Sequence, residues 1–471
     1  MSNTTKKLSN GWTNALIEDC FAPLEDGRTM HQGWSPQCEK ESSLSDEIWG
    51  VLKTTAIQAG EFQPEHNKRL PGKLDPRPLL EVKPGDILMT CAGPRVRCGV
   101  TCLVRNTRPR LMISGKMYRF RVPTDRYEPR YVEAFLQSEN ARMAIDRMKT
   151  GISESGLNLT HARFRKLPIP VAPLTEQRQI MAKIDQQFTR LEAGMVALRR
   201  VQTNLKRFRA AILKAACEGK LVPTEATTAK KERRKYENGS ELLKCILTER
   251  RQKWNGRGKY KEPTIPDVTK LPLLPEGWIW ASVEQISTKV VDGVHKKPNY
   301  VEAGVPFVTV RNLTAGSGIS FEKLHYITLK DHTEFIKRAN PEPGDILVSK
   351  DGTLGVIRII KTDVIFSIFV SVALVKPARR QMSNYLGITL SSPQVQVQMV
   401  PKGSGLQHIH LEDLREDCIP LPPLAEQKRI VAEVERRLSV VEELEAVVEA
   451  NLQRATCLRQ SILQKAFTGK L

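Results

Sequence analysis

Aromatic residues are scarce in this 471-residue chain, at 6%, and no uncharged, mostly apolar stretch is longer than the 12 residues from Val364 to Val375. A bilayer-spanning helix needs about 20, so this stretch predicts a buried strand and a chain without membrane partners. The opening residues, MSNTTKKLSN, hold no apolar signal core. None of the nine cysteines forms a Cys-x-x-Cys pair, so reduced thiols in the cytoplasm are expected. Acidic residues are also in deficit: 52 Asp and Glu face 73 Lys and Arg, a formal charge of +21. Such a chain meets a polyanion, and nucleic acid is the first candidate.

Catalytic strings are missing too. An adenine methyltransferase holds the flipped base with an Asn/Asp-Pro-Pro-aromatic loop; the nearest string, Asn340-Pro-Glu-Pro343, reads as a turn. No Gly-x-x-x-x-Gly-Lys-Ser/Thr phosphate loop occurs. Asp345 and Lys350 have nuclease-like spacing, but Val348 stands where a metal-binding acid is required. Cys91, Cys98, Cys102, His408 and His410 lack finger-like spacing and read as strand cysteines and surface histidines. A non-catalytic chain without a metal or cofactor of its own is expected.

What the sequence does contain is a repeat. Ile169-Pro-Val-Ala-Pro-Leu-Thr-Glu-Gln recurs as Ile419-Pro-Leu-Pro-Pro-Leu-Ala-Glu-Gln, and Ile212-Leu through Gly219-Lys-Leu221 recurs as Ile462-Leu through Gly469-Lys-Leu471 without a gap. Roughly 16 of about 53 aligned positions are identical, dense at both ends and sparse between. Equal length around a diverged middle means that length itself is under constraint.

Both copies read as a long helix. Ile180, Ile184, Leu191, Leu198, Leu205 and Ile212 recur at helical spacing, as do Ile430, Val434, Val441, Val448 and Ile462. These positions are expected to pair the helices. Pro173 and Pro423 sit where a helix can begin, Gly219 and Gly469 where one ends. About 40 helical residues make a rod of roughly 60 Å.

The segments ahead of each helix also echo each other. Lys83-Pro-Gly-Asp-Ile-Leu-Met89 matches Glu342-Pro-Gly-Asp-Ile-Leu-Val348, and Ser155-Gly-Leu157 matches Ser404-Gly-Leu406. The expected organisation is a mixed unit at 1–168, a long helix at 169–221, a basic linker at 222–274 with a short helix from Leu242 to Trp254, a second mixed unit at 275–417 and a second long helix at 418–471. Within the units, Val305–Val310 and Asp345–Ser349 predict strands, and Tyr131–Met148 a helix.

These motifs resemble the type I restriction–modification specificity subunits. The resemblance rests on the Ile-Pro-x-Pro-Pro-Leu-x-Glu-Gln helix starts and on Leu274-Pro-Glu-Gly-Trp278, Asp292-Gly-Val-His295, Gly304-Val-Pro-Phe307, Arg311-Asn312 and Pro343-Gly-Asp-Ile-Leu347. No Leu-Pro-x-Gly-Trp opens the first unit; Gly11-Trp12 and Pro23–Arg28 stand where it is expected. The resemblance implies an α+β fold: two mixed target recognition domains separated by a pair of long antiparallel coiled-coil helices, related by a pseudo-two-fold repeat. It further implies that each domain reads one half-site of double-stranded DNA, with the helices as a ruler for the nonspecific spacer. Two domains on one face of a duplex sit roughly 34–36 Å apart. Two modification subunits with S-adenosylmethionine, and two restriction subunits with ATP and Mg, are the implied partners.

Arg and Lys read guanine, Asn and Gln read adenine, and cations hold phosphates. Candidate DNA contacts in the first unit are therefore Arg28, Gln32, Lys53, Thr54, Arg95, Arg97 and Lys149. In the second they are His295, Lys296, Lys297, Asn299 and Tyr300 in one loop, with Arg311, Asn312, Lys350, Lys402 and Ser404. Two alternatives are a fused free-standing methyltransferase or nuclease, and a basic coiled-coil scaffold without sequence preference.

Overall fold

The computed structural model describes residues 11–254, 258–402 and 407–471. The chain divides into two compact units, Met1–Arg199 with Glu449–Leu471, and Arg200–Val448. The division cuts through both long helices rather than at a linker.

In the first unit four antiparallel strands lie in the spatial order Met30–Gln32, Met117–Phe120, Ile87–Thr90, Thr101–Leu103. The second unit repeats that order with Ser287–Asp292, Val372–Pro377, Ile346–Ser349 and Ile357–Ile359. Each sheet is anchored by the Pro-Gly-Asp turn ahead of its Ile87 or Ile346 strand. Gly85 and Gly344 take φ of +90° and +86°, a region that a Cβ disfavours. Asp86 Oδ2 accepts from the Lys83 N–H at 2.7 Å, and Asp345 Oδ2 from the Glu342 N–H at 2.9 Å. Both carboxylates are fully buried, and buried charge requires pairing. Arg119 and Arg121 supply it for Asp86, Lys376 and Arg380 for Asp345.

A second short ladder brings each unit's start to its end. Thr13–Leu16 pairs with Pro168–Val171, and Ile279–Ser282 with Cys418–Leu421. The chain then turns into a long helix, Leu174–Cys217 in one case and Leu424–Ala466 in the other. At this junction Trp12 Nε1 donates to Glu176 Oε1 at 2.9 Å, and Trp278 Nε1 to Glu426 Oε1 at 3.0 Å. Gly11-Trp12 thus performs the role of Gly277-Trp278 without the flanking Leu-Pro. The glycine φ values agree, at +85° and +87°. Gly219 and Gly469 end the helices at φ +66° and +67°.

Each unit holds one antiparallel helix pairing of its own. In the first, Ile180 and Ile184 share a core with Ile462, and Arg459 pairs with Glu192 at 3.1 Å. In the second, Leu205, Ile212, Ile430, Val434, Val441 and Val448 are buried, and Arg209 pairs with Glu442 at 3.6 Å. Leu191 and Leu198 are only half-buried. Glu192/Glu442 and Arg209/Arg459 are identities in the otherwise diverged middle of the repeat. Equivalent charges thus set the register in both units.

Several elements differ from their sequence expectation. The apolar stretch from Val364 is not one strand. Val364 and Ile365 are exposed, and the rest splits into Ser367–Ile368 and Val372–Pro377. The helix expected over Tyr131–Met148 is two, Pro129–Gln137 and Glu139–Met148. Ser138 breaks it because its side chain caps the second helix at the Ala141 N–H. The linker is more ordered than its charge run suggests. Glu225–Glu232 is helical, and the buried Glu225 carboxylate holds Arg234 and Arg429. The helix expected from Leu242 runs over Gly239–Gln252, opened by an Asn238–Glu241 capping box.

Asp417, beside the second unit's closing strand, is a buried acid under strain. Burial, then repulsion from Asp413 and Glu416, pushes its carboxyl up to about 7. A carboxyl raised on folding binds its proton more tightly in the native state, so its stability penalty appears as pH rises from about 4 to about 7. Asp417→Asn is therefore expected to stabilise the chain at pH 8, by on the order of 2–4 kcal/mol, and to change little at pH 4. Thermal melting at the two pH values checks this.

Candidate nucleic-acid interface

The shared sheet register makes positions in the two units directly comparable. Gln32 lies opposite Tyr118, which also faces Met89; Asp292 lies opposite Ala373, which also faces Val348. Gln32 therefore corresponds to Asp292, Thr90 to Ser349, and Cys91 to Lys350. The backbone around these positions agrees in detail. The Leu159 N–H donates to the Cys91 carbonyl at 2.8 Å and the Ile409 N–H to the Lys350 carbonyl at 2.9 Å. Thr90 Oγ1 accepts from the Val100 N–H at 3.0 Å, and Ser349 Oγ from the Val356 N–H at 2.8 Å. Gly33 and Gly293 leave the strand in matching places. A Cβ there would lie 2.2 Å from the Ile113 carbonyl oxygen in one unit and 2.1 Å from that of Ile368 in the other.

The side chains on this common frame differ. In the first unit Gln32 is exposed and donates from Nε2 to the Gly115 carbonyl at 2.8 Å. In the second, Asp292 is buried and collects the Lys350 ammonium at 2.8 Å, the Arg338 guanidinium, and the His295 ring at 3.2 Å. Burial raises the Asp292 carboxyl, but Lys350 and Arg338 outweigh it and hold the group at about 2.

The other candidates separate into those facing solvent and those already engaged. Arg28 is exposed beside Asp26, and Lys53 and Thr54 are half-buried. Arg95 is exposed but pairs with Asp146 at 2.6 Å and Glu154 at 2.8 Å. Arg97 donates to the Thr54 and Ile57 carbonyls, tying its loop down. Lys149 Nζ is spent on Asp146 and the Arg95 carbonyl. In the second unit His295, Lys296, Lys297, Asn299, Tyr300 and Arg311 are exposed. The Asn299 N–H is bonded to Asp331 at 3.1 Å, and the Tyr300 ring stacks on His325 at 4.8 Å. Asn312 is buried and holds its own turn, accepting from the Thr309 N–H at 2.9 Å and donating to the Ser320 carbonyl at 3.1 Å. Lys350 is buried, and Lys402 pairs with Asp413 at 2.8 Å. Ser404 lies outside the described residues.

Two features had no signal in the sequence. Arg338 follows the short helix Leu329–Phe335 and belongs to no motif. In the first unit, a groove of about 950 Å³ runs between the Arg95–Gly99 loop, the Glu139–Met148 helix and Thr456–Gln464. Its lining mixes Arg142, Arg147 and Arg459 with Glu139 and Asp146.

Residues 291–449 match the family model described as the type I restriction modification DNA specificity domain. That segment belongs to the type I restriction–modification specificity family. It is 39% identical over 182 residues to the EcoEI specificity subunit of Escherichia coli, a match covering 39% of this chain but only 30% of that relative. With the EcoKI specificity subunit of Escherichia coli K12 it shares 24% identity over 99% of this chain and 90% of the relative. A solved chain described in terms of complex assembly and conformational transition of the type I R-M system has a TM-score of 0.63 at 21% identity. The two chains cover 99% and 100% of each other, so the likeness of fold extends over both units. No helix among the described residues is long and apolar enough to cross a membrane.

Gly293→Ala would force its methyl into the Ile368 carbonyl. The expected cost is about 1–3 kcal/mol, read as a lower melting temperature of the full chain, with Gly316→Ala, where nothing lies near an added Cβ, as the neutral control.

Proposed function

We propose that this chain is the sequence-reading component of a type I restriction–modification complex, binding an asymmetric bipartite target in double-stranded DNA. The observation that carries the reading is one sheet frame used twice with different side chains at corresponding positions, Gln32 and Cys91 in one copy, Asp292 and Lys350 in the other. Two readers of unlike chemistry suit two unlike half-sites. The recognition domains are 1–168 and 275–417. Each leads directly into one of the two long helices, which set the spacer between half-sites and pair through the apolar positions from Ile180 to Ile212 and from Ile430 to Ile462. The net charge of +21 supplies the sequence-independent attraction to DNA.

Base-edge contact falls to exposed groups: Arg28, Gln32, Lys296, Lys297, Asn299 and Arg311. Arg97, Asn312 and Lys350 instead hold the loops that present them. Modification subunits carry S-adenosylmethionine and do the methylation; restriction subunits carry ATP and Mg. The complex works in the cytoplasm, where the nine cysteines stay reduced.

The test is to express the chain with a type I modification subunit and sequence the host DNA for modified adenines. Methyl marks are expected at one bipartite motif only. Exchanging residues 275–417 for another family member's second domain is expected to change one half-site and leave the other. Marks that survive the exchange unchanged, or that appear without the partner, contradict the reading.

A further inference from the structure

We propose that Arg338 contacts a DNA phosphate beside the half-site read by the second unit, and that Asp292 is the positioning residue that aims it. The assignment rests on the DNA-reading function above and goes beyond it by naming a residue, its ligand group and the unit that lacks the equivalent.

Charge arithmetic at Asp292 comes first. One carboxylate can neutralise one cation. Lys350, whose side chain is only 11% exposed, bonds it at 2.8 Å from within the fold. Arg338 and His295 reach the same carboxylate from outside, with side chains 48% and 63% exposed. The site therefore carries at least one positive charge in surplus, and that surplus faces solvent. A second observation agrees. The Lys289 ammonium is pushed below its usual range by burial, then by repulsion from Lys376 and Arg338.

Geometry comes next. Arg338 donates to Asp292 with both nitrogens of one edge, Nη2 to the carboxylate and Nε to the backbone carbonyl at 3.2 Å. Nη1 has no partner among the described residues. A guanidinium fixed along one side and open on the other presents a rigid donor at little further entropic cost, and such a fork suits a phosphate oxygen. Lys296 and Lys297 lie exposed on the loop leaving Asp292, which extends the positive surface. The corresponding place in the first unit has Gln32 and Cys91, neither of them charged. The contact is thus peculiar to the second unit.

The experiment compares the wild-type chain with Arg338→Gln and Arg338→Lys on a mixed-sequence DNA duplex at about 50 to 200 mM salt. Releasing one phosphate is expected to flatten the slope of log K against log salt by about 1 in Arg338→Gln, with the slope restored in Arg338→Lys and the melting temperature unchanged. Should Arg338→Gln melt low, Asp292→Asn with Lys350→Met removes the carboxylate together with its buried partner and leaves Arg338 charged but unaimed, and it is expected to flatten the slope in the same direction. A steep wild-type slope that no variant alters overturns the Arg338 assignment alone. So does an altered recognition motif, because Arg338 would then be reading a base. A wild-type chain with no salt dependence overturns the DNA-binding reading itself.

Discussion

An indole hydrogen-bonded to a carboxylate joins the two-stranded ladder of each unit to its long helix. Trp12 meets Glu176 and Trp278 meets Glu426, and each acid sits in the first turn of its helix. A carboxylate there also answers the exposed N–H groups of the helix start. The adjoining strand pair fixes the polypeptide on both sides of this bond. Without the joint, each unit's ladder would pivot freely on its helix, and under the proposed function the distance between two half-sites would lose meaning. Glu426 is buried and also accepts from the Glu225 N–H at 2.8 Å, so the linker helix is tied into the same joint.

On that mount the two sheets act as one scaffold with exchangeable chemistry. Strand order, the Pro-Gly-Asp turn and the glycine leaving the first strand are common to both. The residues that flank the glycine are not. Buried ion pairs are a poor way to add stability, because desolvation consumes much of the Coulomb gain. Asp292 with Lys350 and Arg338 is better understood as a device for orientation: it holds a loop and an arginine in one arrangement. A polar but uncharged pair at the same place in the first unit leaves that loop with a different character.

Much of this was legible in the sequence, for identifiable reasons. The offset repeat, the prolines and glycines at helix ends and the Pro-Gly-Asp turns are local signals, and each maps onto the element it predicted. Gly11-Trp12 was harder to match, because only the tryptophan and one glycine remain of the longer motif. The side-chain candidates were least legible. Arg97, Lys149, Asn312 and Lys350 have the residue types that contact DNA, yet the fold spends Arg97, Lys149 and Lys350 on carbonyls and carboxylates far away in sequence, and Asn312 on its own turn. Residue type reveals a donor but not its partner. Arg338 was missed for the converse reason, since its importance comes from Asp292, 46 positions away.

The proposed function requires that the spacer between two half-sites be set by helix length. It is tested most directly by inserting one helical turn, about four residues, into both long helices and mapping the recognised motif. The account predicts a longer spacer between two unchanged half-sites. An unchanged spacer, or altered half-sites, would contradict it.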